Sequence, residues 1–146
     1  MLSKQTQEVE VFPLWHSTSE KKAFRIARNN FDRGTFIVKS SKLGACCCFN
    51  TTSKAANLSK KRDGEKYVIM ARVITGDYCQ GHKDLKQAPC KPGSEYTHHD
   101  SVVDDVNNPT VYGVFTDFST LPEYIIKYRI VDNQQLYSPY LTKRTH

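Results

Sequence analysis

The sequence contains no apolar run long enough to cross a bilayer. Its longest runs, such as Tyr67–Ala71, are a fraction of the about 20 residues that a spanning helix needs. The opening residues, MLSKQTQEVEV, lack the apolar stretch of a secretory leader, so the expectation is a cytoplasmic protein without membrane attachment. A regular disulfide framework is missing too. Cys46, Cys47 and Cys48 are three of five cysteines, and neighbouring residues rarely meet disulfide geometry, which points to reduced thiols. No internal repeat or low-complexity tract occurs, and neither does a P-loop or a Gly-x-Gly-x-x-Gly turn. A nucleotide-hydrolase or Rossmann reading therefore has no support.

What is present is the material of one domain. The 146 residues are 38% hydrophobic and include 8 Tyr, 7 Phe and 1 Trp, enough to build a core rather than a disordered chain. The formal charge is +6, with basic residues gathered in Lys54–Arg62 and around Lys143–Arg144. Such clusters serve either as a solvated face or as an attraction for nucleic acid or an anionic cofactor.

The pattern predicts a polar, frayed start over 1–8, one domain over 9–131 and a tail over 132–146. Val9, Val11, Leu14 and Trp15 predict a strand running into His16. Ser17, Thr18 and Ser19 then offer helix caps, and Glu20 suits the positive first turn. Ala23, Ile26 and Ala27 repeat at helical spacing, and Asn29-Asn30 is the expected stop. An irregular region through Gly34 and Gly44 follows, with Cys46–Cys48 as small apolar filling for a buried strand and a short helix over 53–59. Strands are predicted at 67–75, 111–115 and 124–131. The stretch 80–109, with Gly81, Pro89, Pro92, Gly93 and Pro109, reads as a long loop of the kind that is often functional. Few helices and clustered strands give the class α+β.

Two chemical constellations compete. Cys79, His82, Cys90 and His98 or His99 include one pair with zinc-like spacing, but the remainder is scattered, so no metal is expected. A catalytic cysteine would need Cys46–Cys48 or Cys79 activated by His16 or His82, and nothing local marks a thiolate.

Three strings, ARVITGDYCQG (71–81), DSVVDDVNNP (100–109) and LPEYII (121–126), stand together with LWHSTS (14–19) in the order found in poly(ADP-ribose) polymerase (PARP) catalytic domains, and the chain resembles that family over roughly 9–131. More loosely it resembles the short virus- and interferon-induced fish proteins called gig proteins. The resemblance implies two antiparallel sheets around a cleft for NAD and transfer of ADP-ribose with loss of nicotinamide. It makes His16 the residue that grips the adenosine ribose and Ser17 the replacement for a glycine whose backbone bonds the carboxamide. It puts Ala55 where a serine bonds nicotinamide, Leu58 where a tyrosine stacks, and Val111 where polymer-forming members have Glu. Glu123, within LPEYII, takes a structural role. Of the catalytic triad positions His16, Leu58 and Val111, only the first keeps its usual residue, so no residue is expected to be catalytic with certainty.

A lost ring stack costs about 0.5–1.5 kcal/mol and an unpaired amide about 1–3 kcal/mol, together about two or three powers of ten in NAD affinity. The resemblance thus implies a domain of intracellular antiviral or innate-immune defence whose transferase activity is lost or limited to mono-ADP-ribosylation. An active NAD-dependent mono-transferase and a protein- or RNA-interaction module remain alternatives. A protein partner is expected, with nucleic acid a further possibility through the basic surface.

Overall fold

The computed structural model describes residues 11–32, 41–53 and 65–129. The predicted frayed start, the tail and most of the short helix lie outside the described residues, and with them Ala55, Leu58 and the basic run.

The first strand, β1 (Val11–Thr18), leads directly into α1 (Glu20–Asn29). Ser19 is the N-cap, its hydroxyl accepting the Lys22 N–H, and Glu20 occupies the first turn. Asn30 ends the helix at a positive φ of 63° with a ψ of −173°, a backbone region otherwise kept almost to glycine and held here by tertiary bonds. Its amide side chain donates to the Thr120 carbonyl at 2.8 Å and accepts from Phe31 N–H at 2.7 Å, so the stop is also a tertiary tie. Ala23 and Ile26 are fully buried, and burying a side chain such as Ile26 contributes about 1.5–3 kcal/mol. Ala27, expected on the same face, is exposed: the inward stripe is narrower than its spacing indicated.

Strands β2 (Cys47–Asn50), β3 (Lys66–Ile74), β4 (Tyr78–Gln80), β5 (Ser101–Val103), β6 (Val111–Val114) and β7 (Thr120–Tyr128) follow. They form one seven-stranded sheet in the order β4-β5-β6-β2-β1-β3-β7. The expectation of two antiparallel sheets is corrected on both counts. The β4–β5 pair is parallel, which makes the sheet mixed. The ladder also stays continuous because β1 meets β2 at one register pair, Trp15↔Asn50. That single pair joins a β4-β5-β6-β2 arm to a β1-β3-β7 arm. The result is a mostly stranded domain with one α-helix among the described residues.

Alternation along the strands sends side chains to two clusters. Leu14, Ile26, Phe49, Ile69, Val73 and Tyr112 pack on the helix side. Leu43, Cys46, Ala88, Val102 and Phe115 pack on the other.

The two most distinctive strings hold each other. Gly76, at a φ of 45°, lies so close to Asp100 that a Cβ would run into its carboxylate, which explains glycine there. Asp100 Oδ2 accepts the Asp77 N–H at 2.8 Å, Asp100 N–H donates to the Asp77 carbonyl at 2.8 Å, and the buried Ser101 hydroxyl donates to the Thr75 carbonyl at 2.7 Å. This clasp sets the parallel start of β4 and β5. The loop between them, 81–100, is the long crossover that a parallel pair requires.

Candidate functional site

His16 lies on the helix-side face of β1, where strand alternation places Leu14 as well. Its ring stands edge-on to Phe31, with centroids 5.4 Å apart, and 5.5 Å from Phe49. Nδ1 lies 2.8 Å from the Cys48 carbonyl. A carbonyl only accepts, so Nδ1 carries the proton. Burial pushes the imidazole below its usual 6.5, the Cys48 carbonyl partly opposes that shift, and Lys22 adds to it. The side chain is therefore neutral near pH 7, and Nε2 keeps its lone pair for a hydroxyl donor.

Ser17 pairs with Val68 and is turned to the opposite face. Among the described non-glycine residues only Asn30 has a positive φ. Ser17 thus keeps ordinary strand backbone, and its Cβ introduces no strain where the related family has glycine.

Val111 opens β6 opposite Asn50, which in turn faces Trp15. Two strand spacings separate Val111 from Trp15, about 10 Å. Val111 packs against the cluster of Leu43, Cys46, Val102 and Phe115. It shares the face of Ser17, while the His16 ring points to the other. The structure thus brings His16, Ser17 and Val111 to neighbouring rows at the junction of the two arms, with His16 reaching it from the helix side.

Three residues at this junction take a part that the sequence reading did not give them. Asn50 bridges β1 and β6. Cys48 supplies the carbonyl that orients His16; strand alternation in CCCFN already separates Cys48 from Cys47. Asp104 accepts from the N–H groups of Thr110 and Val111 at 2.9 and 3.0 Å, and from the Thr110 hydroxyl. Burial works against its charge, but those bonds outweigh it and hold the carboxyl below its ordinary range. With its oxygens so engaged, Asp104 fixes the start of β6 and does not stand in for a carboxylate at Val111. Glu123 pairs with Arg72 Nε at 2.6 Å, a cross-strand tie between β7 and β3.

Of the other constellations only one pair meets, Cys90 Sγ lying 3.9 Å from both ring nitrogens of His98. His98 and His99 bond the backbone carbonyls of Ala88 and Pro89 through Nδ1. Cys79 packs against the second cluster, where burial raises its thiol. Among the described residues no three His, Cys, Asp or Glu side chains gather as a metal site. His16 engages the backbone of Cys48 and not its thiol, so no Cys–His catalytic pair forms there. A concavity lined by Phe31, Asp32, Cys47, Val114 and Thr120 has about 240 Å³ of empty space with open solvent included. Its lining includes none of His16, Ser17 and Val111.

No protein-family model matches the chain. Curated relatives do. The chain is 31% identical over 130 residues to protein mono-ADP-ribosyltransferase PARP10 of Mus musculus, covering 86% of the chain and 13% of that protein. It is 31% identical over 135 residues to PARP14 of Homo sapiens (88% and 7%) and 28% identical over 123 residues to PARP12 of Mus musculus (84% and 17%), both also mono-ADP-ribosyltransferases by name. The chain thus spans less than a fifth of each of these relatives. Most of its own length is matched, and all three relatives are mono-ADP-ribosyltransferases of the PARP kind by name: this chain is a PARP-like catalytic-type domain.

Proposed function

We propose that this domain grips the ribose of NAD through His16, transfers at most a single ADP-ribose unit and makes no polymer. The observation that carries the reading is the fixed tautomer of His16. With Nδ1–H bonded to the Cys48 carbonyl, Nε2 is an acceptor suited to a ribose hydroxyl. The named relatives are mono-ADP-ribosyltransferases, and PARP-type transferases take NAD as substrate. Val111 offers only methyl groups where polymer-forming members carry Glu. Without that carboxylate nothing polarises the hydroxyl of a bound ADP-ribose for chain growth. Leu58 and Ala55 in place of the stacking tyrosine and bonding serine keep the affinity low. A single transfer would then rely on an acidic group of the acceptor itself.

On the resemblance to virus- and interferon-induced proteins, we place this activity in cytoplasmic innate-immune defence, with a protein as partner. Labelled NAD tests the reading. Single additions or no product are expected on a denaturing gel, and a ladder of long chains that disappears in a His16 variant would overturn it.

A second reading, a protein-interaction module with no transfer, is favoured by β7. At the edge of the sheet formed by the described residues, this strand exposes Leu121, Tyr124 and Ile126 at 57%, 62% and 39%, a surface that a partner strand or loop can cover. A folded protein that neither binds nor consumes NAD would favour it.

A further inference from the structure

The three consecutive thiols are not equivalent. Cys47 turns into the helix-side core, while Cys46 and Cys48 meet on the other face with their sulfurs 3.7 Å apart. The Ser41 hydroxyl stands 3.1 Å from Cys48 Sγ and 4.0 Å from Cys46 Sγ. The room for this pair comes from Gly113, the register partner of Cys48. A Cβ there would lie 2.5 Å from Cys46 Sγ. Glycine in the middle of a strand is otherwise unfavourable, and close approach of a neighbour is what it permits. Cys46 is fully buried, whereas Cys48 keeps part of its surface open.

We propose that Cys46 and Cys48 form a hydroperoxide-responsive thiol pair, in which Cys48 is the attacking sulfur, Cys46 resolves it, and the product is an intrachain disulfide. The Cys48 thiolate attacks one oxygen of the hydroperoxide. The O–O bond breaks, the other oxygen leaves as alcohol or water after taking a proton, and Cys48 becomes a sulfenic acid. Cys46 sulfur then attacks Cys48 sulfur. The S–O bond breaks, and hydroxide leaves as water with the Cys46 proton. Two electrons pass from the pair to the peroxide, and a dithiol reverses the reaction by exchange.

Other features support this division of labour. Hydrogen bonding from Cys46 lowers the Cys48 thiol to about 7 against the opposing effect of burial, with Ser41 assisting. The same contact, with burial, drives Cys46 far above its ordinary value. Closing the sulfurs to a bond of about 2.05 Å needs a movement of about 1.6 Å. Cys46 can supply it because it precedes β2 and lies outside the ladder, its N–H bonded to the Gly44 carbonyl at 2.9 Å. The pair does not depend on any reaction with NAD.

The test treats the whole chain with near-stoichiometric hydrogen peroxide, blocks remaining thiols by alkylation and maps the products by mass. The expected first product is the loss of two hydrogens in the peptide carrying 46–48, reversed by a dithiol, before Cys79 or Cys90 changes. Cys47→Ala should retain it. Cys46→Ala should stop at a sulfenic acid on Cys48 that dimedone traps. Cys48→Ala should slow oxidation of that peptide at least about tenfold. Should a variant fail to fold, the order of oxidation in the wild type decides. Oxidation of Cys79 or Cys90 first, a disulfide that includes Cys47, or an unchanged rate in folded Cys48→Ala would overturn the proposal.

Discussion

The two ring nitrogens of His16 stand in different settings. Nδ1–H is spent on the Cys48 carbonyl, and burial keeps the ring neutral. This has a consequence for stability. The folded chain resists a proton that the unfolded chain accepts at the ordinary histidine value, so stability is fully present above about pH 6.5 and falls as pH drops below it. Asp77 and Asp104 are held below the usual carboxylate range, Asp77 by its bond to Lys91 and Asp104 by its turn donors against burial. They therefore act at lower pH. His16→Phe keeps the contacts with Phe31 and Phe49 but cannot titrate. Urea unfolding at pH 7.5 and pH 5.5 should show a smaller loss on acidification in His16→Phe than in wild type. The variant should also lose about 1–3 kcal/mol at pH 7.5 from the unpaired Cys48 carbonyl. Equal pH slopes in the two proteins would mean that His16 is not held neutral by the fold.

At the level of elements, the strands were legible in the sequence where they were long and regular. Residues 67–75 and 111–115 correspond to β3 and β6 within a residue at either end, and Ser19, Glu20 and Asn30 bound α1 as their cap chemistry requires. Strand β7 begins four residues before its expected start because an edge strand tolerates Pro122, whose missing N–H falls beside the bulge at Met70/Ala71. β4 and β5 are three residues each, too short for any period to show, and their parallel pairing depends on the Asp77–Asp100 clasp 23 residues apart. Gly113 gives the sharpest test of packing here. Gly113→Ala pushes a Cβ into Cys46 Sγ and towards Val102, and overpacking of this kind costs about 1–3 kcal/mol. Combining it with Cys46→Ala should return most of that loss, read as a coupling in denaturant melts of the four-member cycle. Additive losses would show that the crowding lies elsewhere.

For the molecule as a whole, the motif strings identified the family, while the arrangement of the sheet had to be seen. One register pair, Trp15↔Asn50, decides between one sheet and two, and no local pattern encodes a contact across 35 positions. The same holds for the site. His16, Ser17 and Val111 are candidates by motif position alone, and the role of Cys48 as the anchor of His16 depends on a backbone carbonyl, which carries no sequence signal. Ala55 and Leu58 lie outside the described residues, and their part in the account is the loss of two nicotinamide contacts. The proposed function therefore implies a weak NAD site whose remaining grip is His16. Calorimetric titration of NAD into wild type and His16→Phe, both shown to be folded, tests it most directly. Saturable binding with a dissociation constant of the order of millimolar, weakened several-fold in His16→Phe by the loss of a hydrogen bond worth about 0.5–1.5 kcal/mol, is the predicted result. Binding of equal strength in the two proteins, or none in either, would contradict it.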